Sequence, residues 1–166
     1  MKRNIVWTIF FLAALILSVA AVASAHDEGT CSLAGVAGEW GHTFAGTIIL
    51  PSGPAPIAAV GKVTIDAEGN ISGTQTSSRN GTISQDTIKA TGTVNSDCTG
   101  TLDVSIYDPS GTTLLRTATW AVVFVDHARE FHAIMTSLVP AGSTSSVPTV
   151  ITMNAKKQFP GRGKEE

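Results

Sequence analysis

Beyond residue 40 the chain alternates: apolar and polar residues trade places in short runs, and no 3.6-residue period persists. Side chains on a strand point to opposite faces in turn, so alternation marks a strand with one face buried. Eight such runs can be read, over 40–50, 57–66, 71–78, 82–94, 99–107, 113–125, 130–138 and 148–157. Turn-forming residues separate them. Asn80-Gly81 is the strongest hairpin signal, because a tight two-residue turn needs residues that tolerate positive φ. Glu68-Gly69-Asn70, Asn95 to Asp97, Asp108-Pro109-Ser110-Gly111 and Asp126 to Arg129 also read as turns. PSGPAP (51–56) reads as a stiff loop, residues 139–147 as a Ser/Gly/Pro loop, and residues 31–38 as a turn or single helical turn. Consecutive strands with short links predict an all-β, eight-stranded antiparallel up-and-down barrel, since at that number a sheet can close and lose its edges. A two-sheet β-sandwich is the alternative.

The first 25 residues do not belong to this pattern. Lys2 and Arg3 precede an apolar run from Ile5 to Val22, and Ala23-Ser24-Ala25 offers small residues to a peptidase. Together these form a secretory signal peptide, 1–25, cleaved after Ala25. A retained membrane anchor is the rival reading. Cleavage leaves a β-barrel domain over 26–158 and a tail over 159–166, FPGRGKEE, expected to be disordered. The protein is then secreted or periplasmic, with no membrane contact after cleavage.

Charge narrows the partners. The chain carries 11 basic and 13 acidic residues, and Lys2 and Arg3 leave with the signal. No basic stripe remains, so nucleic acid is not expected as a partner. Cys31 and Cys98 are the two cysteines, and an even count in an exported chain reads as a disulfide. It would close a loop of roughly seventy residues, worth about 4 kcal/mol in the chain-entropy treatment. The sequence sets no oligomeric state.

Gly38-Glu39-Trp40 before the first strand resembles the G-x-W signature of lipocalins, in which the Trp closes the barrel's base. Phe124-Val125-Asp126 and the run from Glu130 to Ile134 are faintly similar to the second lipocalin region, with His127 where an aromatic usually follows the aspartate. Across most of the chain, Cys31, Leu33, Gly35, the run 59–61, the run 65–73, the run 92–100 and Val125-Asp126 resemble a family of exported bacterial β-barrel proteins of unknown function. In that family Trp40 is expected to be a Tyr. The resemblance implies a lipocalin-like or allene-oxide-cyclase-like barrel and carries over no catalytic residue.

The candidate ligand-binding residues are Trp40, His42, Phe44, Arg116 and Trp120. Trp40, His42, Phe44, Ile48 and Leu50 share one face by alternation. His42 there is either a core-edge histidine with one hydrogen bond or a polar handle for a ligand. Arg116 shares a face with Ala118, Trp120, Val122 and Phe124, but Leu115, Ala121, Val123 and Val125 make the other face equally apolar. Which face points inward stays open. An inward Arg would need an anionic partner, and a fatty-acid carboxylate could serve. Glu130 and His132 fall on one side of a strand, too few for a metal site. No nucleophile elbow, catalytic triad or carboxylate pair can be assembled, and no metal or cofactor is expected. Three readings follow: a barrel binding a small hydrophobic or amphipathic ligand, a structural or surface-interaction protein with a filled barrel, and, less favoured, a cyclase- or isomerase-like enzyme acting on a lipid or phenolic.

Overall fold

The computed structural model describes residues 31–158. The expected signal peptide, its expected cleavage site and the 159–166 tail lie outside the described residues.

A short helix, α1 (Leu33–Val36), is capped by Ser32, whose Oγ accepts from the Gly35 amide at 3.1 Å. Eight strands follow: β1 (Gly38–Leu50), β2 (Gly53–Ile65), β3 (Asn70–Arg79), β4 (Thr82–Val94), β5 (Thr99–Tyr107), β6 (Leu114–Val125), β7 (Glu130–Pro140) and β8 (Thr149–Lys157). Each pairs antiparallel with the next, and β8 returns to β1 over Trp40↔Lys157 through Ile48↔Thr149. The sheet is therefore a closed eight-stranded up-and-down barrel, and the sandwich is ruled out.

The turns form for local reasons. Asn80 and Gly81 both hold positive φ, 49° and 84°, the geometry a two-residue hairpin loop requires. At the β2–β3 and β5–β6 turns an aspartate folds over its own backbone. Asp66 Oδ1 accepts from the Glu68 and Asn70 amides, and Asp108 Oδ1 from those of Thr112 and Thr113.

One departure from the sequence reading and one irregularity of the sheet have physical causes. PSGPAP is not a loop: only Pro51 and Ser52 turn, and β2 already runs from Gly53. Ile49 and Thr47 of β1 pair with Pro54 and Pro56, while β3 begins to pair with β2 only at Ile57. Both prolines thus direct their missing N–H past the end of β3, where a ladder bond is not needed. In β7, inward residues run Phe131, Ala133, Met135 and then Leu138, because the register shifts opposite Thr119/Trp120. A bulge of one residue flips every later side chain to the other face.

The two ends of the barrel differ. At one end the α1 segment folds across the opening: Val36 and Trp40 are 1% and 0% exposed, and the Trp40 indole N–H donates to the Val36 carbonyl at 2.9 Å. Phe131 and Phe124 pack on the Trp40 ring at centroid distances of 5.3 and 6.5 Å. Cys31 and Cys98 are bonded, with Cα atoms 5.0 Å apart, and tie this segment to the β4–β5 turn. The opposite end carries the β1–β2, β3–β4, β5–β6 and β7–β8 connections and forms a mouth.

Candidate functional site

Trp120, Ala118, Val122 and Phe124 are all buried, so the inward face of β6 is the one that carries Arg116. Its guanidinium would be costly there without an anion. The anion comes from the chain itself: Arg116 Nη2 donates to Asp86 Oδ2 at 2.8 Å. The Asp86 side chain has no exposed surface, and that of Arg116 is 14% exposed. Asp86 also accepts from Gln75 Nε2 at 3.0 Å, Ser77 Oγ at 3.1 Å and, on Oδ1, Ser84 Oγ at 3.2 Å. Burial pushes the Asp86 carboxyl up, but the Gln75 bond, the Arg116 charge and the Ser77 bond outweigh it and hold it below the ordinary carboxylate range. Asp86 is ionised at neutral pH.

His42 joins this network from β1. Its Nε2 lies 3.4 Å from Gln75 Oε1, and the residue is 6% exposed. Gly61, its cross-strand partner, makes the room: a Cβ there would stand 2.5 Å from His42 Cε1 and 2.7 Å from Gln75 Cβ. Burial lowers the His42 pKa from its ordinary value, and the Gln75 hydrogen bond offsets this only in part. The imidazole is neutral at pH 7.

The polar row borders an apolar cavity of about 60 Å³ inside the barrel. His42, Phe44, Arg116 and Trp120 all line it, as do Met135 and Met153. Phe44 and Trp120 pack against each other on its wall, with ring centroids 5.9 Å apart. Trp40 is not on this wall; it sits in the sealed floor. Leu50 is 36% exposed and belongs to the mouth, a space of about 500 Å³ that also holds Leu115, Arg79 and Pro140. Ile57, Arg116 and Leu138 line both spaces, so the mouth and the cavity adjoin at these three side chains.

Sequence reasoning missed Gln75, Ser77 and Asp86. A signal existed: Asp86 alternates with Ile88 and Ala90, and Gln75 and Ser77 alternate with Ile71 and Gly73, so polar residues stand on two apolar faces. Glu130 and His132 adjoin at 4.0 Å, and among the described residues no three metal-ligating side chains converge.

A pH prediction follows from His42 and Asp86. Unfolded, His42 takes a proton near pH 6.5; folded, its pKa is lower. The unfolded chain therefore binds more protons below about pH 6.5, and stability falls as pH drops through that region. Asp86 adds a second loss further down, because its contribution is present above the ordinary aspartate value and disappears as pH falls through the lower folded one. Urea midpoints measured from pH 8 to 4 should fall, and His42→Phe should flatten the part just below about pH 6.5. An unchanged slope in the variant would remove His42 from the account.

Comparison with known proteins bears on the fold. The solved structure of EF1p2_mFAP2b bound to DFHBI matches this chain with a TM-score of 0.51 at 12% sequence identity, over 77% of this chain and 100% of that one. At that identity the likeness is one of fold alone. No family model and no curated protein matches the chain.

Proposed function

We propose that this barrel is an exported binding cup, which takes a small, mainly apolar ligand through its mouth into the interior. The observation that carries the reading is the adjacency of two spaces. The floor is sealed by Val36, Trp40, Phe124 and Phe131, whereas at the other end the apolar cavity adjoins the open mouth, with Ile57, Arg116 and Leu138, the proposed neck, on the walls of both. His42, Phe44, Arg116 and Trp120 are the proposed contacts, and Trp40 is the floor beneath them. At about 60 Å³ the inner cavity is smaller than the several hundred Å³ of a typical ligand site, so the ligand extends into the mouth. The similar barrel EF1p2_mFAP2b is itself described with a bound molecule, DFHBI, which supports an architecture able to hold one. The Cys31–Cys98 disulfide fits an oxidising compartment, and with the leader over 1–25 it supports a secreted or periplasmic protein starting at His26. The resemblance to exported bacterial barrels points the same way.

The small inner volume also favours a second reading, a structural barrel filled by its own side chains. One titration separates the two. A hydrophobic fluorescent probe should bind the protein saturably and perturb Trp120 emission, and Leu138→Trp, which narrows the neck, should weaken binding at least tenfold. Binding that Leu138→Trp leaves unchanged would locate the probe on the outer surface, and no binding at all would leave the filled barrel as the function.

A further inference from the structure

The polar row inside the barrel has a direction, and that direction specifies what a ligand must offer. Arg116 has only donors and Asp86, being ionised, only acceptors. Gln75 must therefore turn its NH₂ group to Asp86, which fixes Oε1 towards His42. An amide oxygen only accepts, so His42 Nε2 carries the hydrogen and donates to it. Neutral imidazole has one N–H, which leaves Nδ1 as a bare acceptor.

That acceptor has no partner among the described residues, although His42 is more than nine-tenths buried. No fully enclosed side-chain nitrogen or oxygen among the described residues lacks a hydrogen bond, so Nδ1 keeps accessible surface of its own. His42 lines the cavity, and the walls around it are Phe44, Trp120, Met153 and other apolar side chains.

From this geometry we infer that the ligand is a neutral hydrogen-bond donor, a phenol or alcohol whose O–H is accepted by His42 Nδ1 while its carbon body fills the apolar cavity. The inference rests on the binding-cup reading and deepens it by naming the ligand class. It runs against a carboxylate ligand, because Arg116 is already neutralised by Asp86 and His42 presents a lone pair, which repels an anion. It makes His42 the residue that discriminates between ligands of similar shape, since a site built to accept a hydrogen bond rejects the analogue without the donor.

Phenol, toluene and benzoate test it, with Met135 and Met153 methyl resonances reporting binding from the cavity wall. The ratio of phenol to toluene affinity should fall about tenfold in His42→Leu relative to the unmodified protein, the value of one hydrogen bond. Nitrogen-15 spectra should show the hydrogen of His42 on Nε2, and Gln75→Leu should release that preference. An unchanged ratio, tightest binding of benzoate, or a hydrogen on Nδ1 would each overturn the inference while leaving the cup intact. Failure of both phenol and toluene to shift either methionine would overturn the cup itself, and the ligand class with it.

Discussion

Arg116→Met should lower the folding free energy by about 3 kcal/mol, seen as a loss of roughly 10 °C in the melting temperature. The replacement keeps the volume and apolar stem but removes the only cation among the described residues that meets Asp86, 2.8 Å away. Gln75, Ser77 and Ser84 still donate to the carboxylate, which keeps the loss near the low end for a broken buried pair. Asp86→Leu alone should cost less, because the Arg116 side chain is 14% exposed and lines the mouth, where its head can turn to water. The double variant should regain most of what Arg116→Met loses, since two apolar side chains leave no charge to solvate. The acid dependence gives a further check. Without Arg116 the folded carboxyl becomes easier to protonate, so the gap between the variant and the unmodified protein should narrow as pH falls towards 4. A loss under about 0.5 kcal/mol for Arg116→Met, within the range of ordinary surface changes, would show that the pair does not hold the wall together.

Removing the disulfide should cost about 4 kcal/mol by urea denaturation, given the 67-residue separation of Cys31 and Cys98. Cys31→Ser, Cys98→Ser and the double variant should all lose the same amount, because each deletes the same bond. Reduction of the unmodified protein should match them. The damage should be uneven in space. Cys31 anchors the segment that lays Val36 over Trp40, so the floor loosens first and Trp40 emission shifts to the red while Trp120 is less affected. Cys98 itself holds φ at 65°, a conformation disfavoured for a side chain with a Cβ, so the bridge also secures a strained turn. A double variant within 1 kcal/mol of the unmodified protein would reassign the floor's stability to the aromatic cluster.

Much of the architecture was legible because period-two alternation is a strong signal over strands of nine to thirteen residues, such as β1 and β8. Closure could be anticipated from the strand number, and the disulfide from two cysteines behind an expected leader. Three things were not legible. The inward face of β6 was hidden because Leu115, Ala121 and Val123 make its outer face apolar too; what decides it is Trp120 and Phe124 filling the interior. Pro54 and Pro56 argued for a loop because the cost of a proline depends on whether a neighbouring strand reaches it, a fact about β3 rather than β2. The site was only half visible. His42 and Arg116 stood out as polar residues among apolar ones, but Gln75 and Asp86 connect them from β3 and β4, and adjacency across four strands cannot be read from spacing within one.

The pairing of β1 with β8 makes the last strand synthesised the one that completes the wall. Hairpins between neighbouring strands can form early and locally, but Trp40 cannot meet Lys157 until the whole intervening chain has been made and ordered. Contacts so distant in sequence are slow to form. Meanwhile β1 and β7 each carry a row of amides and carbonyls with nothing beside them, the kind of edge onto which another chain can add itself. In the finished barrel β8 pairs with both, over Trp40 to Ile48 of β1 and Glu130 to Ile134 of β7. The chain's exposure to misassembly is therefore confined to an interval in time, which opens when β1 emerges and shuts when β8 docks, and a chain cut short before Thr149 would never leave it.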